Sequence, residues 1–151
     1  MGELCFPVAV FFDSDVMIAG SASVSGSSFA PLRLVELGLI KGYVSVQVLE
    51  ECRRNLAEKL PDAVVPFEKI VERCVGVWTT SPDEDSLSLA SNQADKKDVP
   101  ILASALETRA RFFVISNVKD YWPTSTAQIE ILTPGEFLAR IRLALRKQAG
   151  R

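Results

Sequence analysis

Residues 7–15 read PVAVFFDSD, and no other segment of the chain constrains its architecture as strongly. Within it, Val8–Phe12 is an uninterrupted apolar run, which predicts a central strand buried on both faces. A second apolar run, Phe112–Ile115, predicts another buried strand. Continuous apolar runs of this kind are typical of parallel sheets that helices cover on both sides.

Helical patterns separate these strands and predict an α/β fold. The predicted helices are Phe29–Leu37, Val46–Leu60, Pro66–Cys74, Asp98–Arg109 and a helix that begins at Pro134, while Ser81–Asp98 is partly helical and Ser21–Ser28 is a serine-rich loop. Short strands are predicted at Tyr43–Val44, Val75–Thr79 and Ile129–Leu132. Their alternation predicts a three-layer α/β/α sandwich with a central parallel sheet, and the lack of repeats or linkers predicts one domain over residues 1–151.

The composition narrows the possible chemistry. The 151 residues are 48% hydrophobic and 24% charged, which is ordinary for a globular domain with its own core. The chain has no histidine, which excludes Ser-His-Asp triads, Cys-His pairs and histidine zinc sites. Carboxylates therefore remain as the main catalytic groups, with or without a hard cation such as Mg²⁺.

The three cysteines, Cys5, Cys52 and Cys74, are interpreted as small buried hydrophobic residues in a reducing cytosol, because their number is odd and their spacing suits no metal site. The N-terminal segment has no basic region, and Asp13 interrupts its apolar run. It therefore fits neither a secretory signal nor a membrane span. These features predict a cytoplasmic protein that does not contact the membrane.

Acidic side chains follow the predicted buried elements. Asp13 ends the first strand, and Asn117 and Asp120 follow the second, so the carboxyl edge of a parallel sheet would bring them together. Asp98 lies in phase with the buried face of its helix. An N-cap role is as good an interpretation for Asp13, and on local grounds a better one for Asp98.

Two adjacent glutamates and two adjacent aromatic residues remain ambiguous. Glu50 and Glu51 both lie near the edge of their helix's apolar stripe, so helical phase does not choose between them. Tyr121 and Trp122 beside Asp120 are candidates for stacking on a nucleobase, although such aromatics more commonly close a core beneath a loop.

Taken in order, four motifs resemble the PIN domain family of metal-dependent ribonucleases. The motifs are the strand ending in Asp13-Ser14-Asp15, the helix start Ser45-Val46-Gln47-Val48-Leu49-Glu50-Glu51, the acidic helix start Asp98-Val99-Pro100-Ile101-Leu102-Ala103, and the segment Ser116-Asn117-Val118-Lys119-Asp120-Tyr121-Trp122-Pro123. The second motif favours Glu51 over Glu50. Closest is the branch that includes toxins of toxin–antitoxin pairs.

This resemblance implies a catalytic site and a set of partners. It implies Mg²⁺ or Mn²⁺ held by clustered acids, cleavage of single-stranded RNA, an antitoxin protein and pairing into a homodimer. The implied catalytic residues are Asp13, Glu51, Asp98, Asn117 and Asp120, of which all but Asn117 would bind the metal. The helices Phe29–Leu37 and Val46–Leu60, which are rich in leucine, are the candidate dimer interface and antitoxin groove.

The sequence supports three alternative functions unequally. Many family members have aspartate where this chain has Asn117, so one alternative is a catalytically weakened PIN-like module that binds RNA or a protein partner. A response-regulator-like receiver would need an acid at the end of a middle strand, but Val75–Thr79 runs into Thr80. A dinucleotide-binding fold would need a glycine-rich loop after a strand, and none occurs.

Overall fold

Strand β1 (Val8–Phe12) lies at the centre of a five-stranded parallel sheet in the computed structural model, which describes residues 4–23, 26, 28–122 and 129–150. The strand order is β3-β2-β1-β4-β5, where β2 is Ile40–Ser45, β3 is Val75–Trp78, β4 is Phe112–Val114 and β5 is Glu130–Leu132. Phe11 pairs with Tyr43 of β2 on one side and with Phe113 of β4 on the other. The predicted α/β sandwich with a central parallel sheet is confirmed.

Helices cover both faces of the sheet. The described residues form α1 (Ser14–Ala22), α2 (Phe29–Glu36), α3 (Val46–Lys59), α4 (Val64–Cys74), α5 (Glu84–Ser91), α6 (Val99–Glu107) and α7 (Pro134–Ala149). Helices α1 to α4 pack on one another, α7 packs on α2, and α5 packs on α6. With the right-handed crossovers that parallel strands almost always have, this strand order places α1 to α4 on one face of the sheet and the α5–α6 pair on the other.

Side-chain caps determine where two of these helices begin. The hydroxyl of Ser45 accepts a hydrogen bond from the Val48 backbone N–H and thereby starts α3. Thr133 and Glu136 form a reciprocal capping box at the start of α7, with Pro134 at the first helical position. Both starts agree with the sequence prediction, because caps are local.

Aromatic residues fill the core on both sides of the central strands. Phe11 and Phe113 meet edge-to-face with ring centroids 5.4 Å apart. On the opposite face, Phe112 packs against Phe137 of α7 at the same centroid separation. All four phenylalanines are fully buried, so β1 and β4 are fixed in the sheet by side chains on both faces.

Several predicted boundaries and burials are wrong. Helix α1 includes Ser21 and Ala22, and the Ser21 hydroxyl donates a hydrogen bond to the Met17 carbonyl one turn earlier, whereas a loop was expected there. Helical spacing predicts Leu60 on the apolar stripe of the helix that begins at Val46, and Leu145 on that of the helix that begins at Pro134, but both are exposed at helix ends. Cys5 is exposed as well, while Cys52 is buried as expected.

Helix α2 uses most of its apolar surface inside the chain. Leu32 and Val35 are buried, Leu34 and Leu39 are partly buried, and Leu37 remains exposed just after the helix. The helix packs against α1, α4, α7 and β2. Burial between neighbouring elements therefore accounts for much of the leucine content that suggested an interface.

No helix in the described part of the chain combines the length and apolar character needed to cross a membrane.

Gly42 of β2 gives a direct test of the packing. A methyl group added there would lie 2.9 Å from a Phe12 ring carbon and 3.1 Å from Val35 Cγ2, both closer than van der Waals contact. We expect Gly42→Ala to lower the free energy of unfolding by about 1–3 kcal/mol through overpacking. Chemical denaturation of the purified variant measures this loss.

The control is Gly135→Ala in α7, where an added methyl group meets nothing within 4 Å. That variant should be neutral or slightly more stable, since alanine favours helices over glycine by up to about 1 kcal/mol. Equal stability changes for the two variants would contradict the packing described here.

Candidate functional site

Asp13 stands at the carboxyl edge of the sheet, where β1 ends and α1 begins. Its backbone N–H donates a hydrogen bond to the Val114 carbonyl of β4 at 3.1 Å, which fixes the residue beside the neighbouring strand. It occupies the N-cap position of α1, yet its side chain makes no capping hydrogen bond. Apart from a hydrogen bond from the Ser14 backbone, the carboxylate therefore has no role in capping the helix.

Glu51 of α3 reaches this edge from another part of the chain. The Ser14 hydroxyl donates a hydrogen bond to Glu51 Oε2 at 3.1 Å, so Glu51 lies against the residue that follows Asp13. Glu50 points elsewhere: it is exposed and lines a separate recess of about 290 Å³ with Trp78 and Thr79. The structure thus separates two glutamates that helical phase left equivalent.

A group of three aspartates completes the acidic side. Carboxylate oxygens of Asp95, Asp98 and Asp120 all lie within 4.8 Å of one another. Asp98 precedes α6 but makes no capping hydrogen bond, and its Oδ2 is buried without a hydrogen-bond partner among the described residues. Lys97 Nζ is 3.7 Å from Asp120 Oδ2 and supplies a nearby positive charge.

Two loops are joined to bring these aspartates together. The Asp95 backbone N–H donates to the Asp120 carbonyl at 2.7 Å, and the Trp122 N–H donates to the Gln93 carbonyl at 2.8 Å. Between these bonds, Ala94 and Tyr121 pair as an isolated antiparallel bridge. The segment before α6 and the segment after β4 are therefore held as one unit.

The two parts act on each other electrostatically, although Asp13 and Glu51 lie outside the group of three aspartates whose oxygens are within 4.8 Å of one another. The pKa of Asp13 is raised to about 7, mainly by burial and also by the charges of Asp15, Glu51 and Asp98, against the opposing hydrogen bond from the Ser14 backbone. Burial likewise raises the pKa of Asp98; Asp120, Asp95 and Glu51 add to this effect, and Lys97 opposes it. Carboxylates on four separate segments thus repel one another.

Asn117 plays a different role from the acids. It is exposed, and its Oδ1 accepts a hydrogen bond from the Lys119 backbone N–H at 3.1 Å, which caps the 3₁₀ turn Val118–Asp120. The side-chain oxygen expected in the cluster is engaged in the local turn. Pro123, the last residue of the fourth motif, lies outside the described residues.

The structure brings in three residues that sequence reasoning did not assign to the site. Ser14 orients Glu51, and Asp95 joins the aspartate group. Tyr121, which the sequence offered only as a stacking or core residue, is buried with 8% of its surface exposed. The spacing of Asp95 and Asp98 was visible in the sequence, but nothing local indicated that both face Asp120. Trp122, by contrast, is 51% exposed and remains accessible for stacking.

Cys52 lies beneath the site but has the properties of a core residue. Its thiol is buried and donates to the Ser14 carbonyl with a sulfur–oxygen distance of 3.7 Å. Burial, together with the charges of Asp13 and Glu51, raises the pKa of the thiol to about 12. A thiol of this kind is neutral and unreactive at neutral pH.

The donor set fits a hard divalent cation. Carboxylate oxygens from several segments converge, one of them is buried and unpartnered, and their mutual repulsion would be relieved by positive charge. Asp13, Glu51, Asp98 and Asp120, with Asp95 added, are the residues that could hold Mg²⁺ or Mn²⁺. The absence of histidine is compatible with this all-oxygen set.

The raised pKa of Asp13 makes a prediction about stability. Because the folded protein binds this proton more tightly than the unfolded chain, the free energy of unfolding falls as pH rises from about 4 to 7. Asparagine cannot ionise, so Asp13→Asn should be more stable than wild type above pH 7 by roughly 1–4 kcal/mol, with the difference disappearing near pH 4. Thermal unfolding in EDTA between pH 4 and 8 measures it.

The control is Asp62→Asn at an exposed position, which should stay within about 0.5 kcal/mol of wild type. A stability gain of Asp13→Asn that persists at pH 4 would contradict the assignment of the effect to ionisation.

Comparison with known proteins identifies the family. Residues 9–119 match the PIN domain family. A chain of the crystal structure of VapBC2 from Rickettsia felis bound to a DNA fragment from their promoter is similar in fold, with a TM-score of 0.63 and 12% sequence identity over 82% of this chain and 97% of that chain. No curated protein matches the sequence. Since the family match spans most of the sequence, as the four motifs suggested, the chain belongs to the PIN domain family.

Proposed function

We propose that this PIN domain is a Mg²⁺- or Mn²⁺-dependent endoribonuclease that cleaves single-stranded RNA and acts as the toxin of a toxin–antitoxin pair. The observation that carries the proposal is the close group of Asp95, Asp98 and Asp120 with the unpartnered Oδ2 of Asp98, and it is supported by the electrostatic influence of Glu51 on Asp98 and of Asp98 on Asp13. Clustered carboxylates raise the energy of the metal-free fold, so a structural role alone does not account for them.

Some residues of the site would bind the cation, and others would hold those ligands in position. Asp13, Glu51, Asp98 and Asp120 would bind the cation, with Ser14 orienting Glu51 through its hydroxyl. When bound, the metal supplies a water of lowered pKa and neutralises charge on the scissile phosphate. The buried floor formed by Phe113 and Tyr121 keeps bulk water away from one side of the acids.

The second candidate is a catalytically weakened module that binds RNA or a protein partner. It is favoured by one observation, the use of Asn117 as a turn cap in place of an acid. Asp95 and Asp120 supply further carboxylates beside Asp98, which offsets the missing charge. Titration of the protein with Mn²⁺ in a calorimeter discriminates between the ribonuclease and the binding module, because an intact site binds the ion and a decayed site does not.

The adjacent pair Glu51 and Glu50 provides a matched test of the enzyme proposal. Glu51→Gln should lower metal-dependent cleavage of single-stranded RNA by about 100-fold or more, since it removes a charged ligand and not merely a supporting contact. Glu50→Gln neutralises the neighbouring residue, which faces away from the cluster, and should change cleavage by less than about 3-fold. A fluorescent oligoribonucleotide assay with and without EDTA measures both.

Three outcomes would contradict parts of this proposal. Cleavage by wild type that persists in EDTA would remove the metal from the proposal. A wild-type protein that binds Mn²⁺ but leaves RNA intact would favour the binding module. Equal losses for the two glutamine variants would mean that Glu51 has no special place in the site.

The partner proposals rest on the VapBC2 similarity and on exposed apolar surface. A groove of about 430 Å³ lies where the end of α3 meets α1 and α4, and it includes the exposed Leu60 together with Ala22 and Pro66. We propose this groove for an amphipathic antitoxin segment. A short neighbouring reading frame whose product suppresses cleavage on coexpression would support it.

The homodimer proposal has its own measurement. Leu37, 61% exposed at the end of α2, lies in the helix–helix region expected to form the interface. One chain has a mass of 16.5 kDa. Size-exclusion chromatography with light scattering on the isolated chain should give twice that mass. A monomer at high micromolar concentration would overturn the pairing.

A further inference from the structure

The ring of Tyr121 is held firmly beneath the acidic cluster. It packs edge-to-face against Phe113, with ring centroids 5.4 Å apart and an interplanar angle of 82°. Its backbone is fixed by the bridge to Ala94 and by its own N–H bond to the Val118 carbonyl. The direction of the side chain is therefore set by the core and by the two joined loops.

The hydroxyl at the end of this ring has no protein partner. Tyr121 is 8% exposed, and its Oη is buried without a hydrogen-bond partner among the described residues. An unpaired buried hydroxyl is unfavourable for stability, whereas phenylalanine would fill the same space without that cost. Packing alone therefore explains the ring but not the oxygen.

Tyr121 is held between two of the acidic segments, because it directly follows Asp120 and pairs with Ala94, which directly precedes Asp95. Burial raises the pKa of its phenol, and the charges of Asp13, Asp98, Asp120 and Glu51 raise it as well. The phenol is thus a neutral hydrogen-bond donor beside the acidic cluster, and it pairs with none of the described acids. A ligand that occupies this space must bring an acceptor for the phenol and be compatible with the negative charge around it.

A phosphodiester bound through a cation meets both requirements. Its two non-bridging oxygens are acceptors, and one can face the cation held by the carboxylates while the other faces the phenol. Without the cation, the acids would repel the phosphate. With the cation bound, the hydroxyl would add a directional hydrogen bond to the phosphate, which a point charge cannot supply.

We propose that Tyr121 donates a hydrogen bond from its hydroxyl to a non-bridging oxygen of the RNA phosphate at the acidic cluster. This inference rests on the proposed ribonuclease function and adds a substrate-positioning contact to it. The contact holds the phosphate at a fixed orientation relative to Asp13 and Asp98. The sequence left Tyr121 undecided between core packing and nucleic-acid binding. In this proposal the ring packs in the core and the hydroxyl binds the nucleic acid.

Tyr121→Phe removes the hydroxyl and keeps the ring. We expect kcat/KM for single-stranded RNA to fall about tenfold or more, which is the ordinary effect of losing a hydrogen bond to a charged group. RNA affinity in Ca²⁺, measured by fluorescence anisotropy with intact RNA verified on a gel, should fall in parallel. Mn²⁺ affinity without RNA should stay within about twofold, and the thermal midpoint should be equal or higher.

Tyr43→Phe is the matched control, because Tyr43 is the other tyrosine of the chain and lies within β2 beside Gly76. It should leave RNA affinity and cleavage unchanged. If Tyr121→Phe behaves like this control, the phosphate contact is overturned. If Mn²⁺ affinity falls as much as RNA affinity, the hydroxyl serves the ion and not the phosphate, which also overturns the proposal.

The wild-type arm separates this inference from the function it rests on. RNA binding that weakens in Tyr121→Phe supports the contact even if wild type does not cleave RNA, and in that case only the ribonuclease proposal fails. Cleavage by wild type that Tyr121→Phe leaves intact removes the contact and retains the ribonuclease.

Discussion

The burial of β1 between β2 and β4 is the constraint on which the rest of the site depends. Phe11 and Phe12 are fully buried, and hydrogen bonding continues past the strand through the Asp13 N–H to the Val114 carbonyl. Asp13 therefore cannot move away from the low-polarity core that raises its pKa. Asp15, Glu51 and Asp98 thus act electrostatically on a carboxylate whose position the sheet has already determined.

The remaining acids arrive on segments that hydrogen bonds join to this edge. Ser14 connects Glu51 to the start of α1, and the paired loops around Ala94 and Tyr121 connect Asp95 to Asp120. Each of these bonds is made by a backbone or hydroxyl group that needs a partner when buried, so each favours the folded arrangement. Together they offset part of the repulsion among the carboxylates. The cluster is thus maintained by its surroundings and not by attraction between its members.

This arrangement explains why the fold and the site have opposite electrostatic preferences. The core of the protein favours neutral, well-packed residues, whereas the site keeps carboxylates that repel one another beside that core. A PIN domain needs this combination if a cation is to be held at the edge of the sheet without histidine. Lys97 is the nearby positive charge that the chain itself provides, and it touches Asp120 on the exposed side.

The sequence by itself determined the strands, the helix caps and the family. Apolar runs such as Val8–Phe12 and caps such as Ser45 are local, so their structure follows from neighbouring residues. The four motifs contained Asp13, Asp98 and Asp120, and they favoured Glu51 over Glu50 only through the resemblance. Burial at helix ends was less predictable, as the exposed Leu60 and Leu145 show, because it depends on whether another element covers the end.

Only the tertiary structure decided which side chains share the cleft. Glu51 and Glu50 are adjacent, yet Glu51 bonds to Ser14 beside Asp13 while Glu50 lines a separate recess. Tyr121 and Trp122 are adjacent as well, yet Tyr121 is buried and Trp122 is exposed. Asp95 joins Asp98 and Asp120 through a loop pairing between segments about 25 residues apart, while the amide oxygen of Asn117 accepts a hydrogen bond within its own turn. The physical reason is that side-chain direction at these positions is set by contacts with distant segments, and such contacts form only when the sheet has brought those segments together.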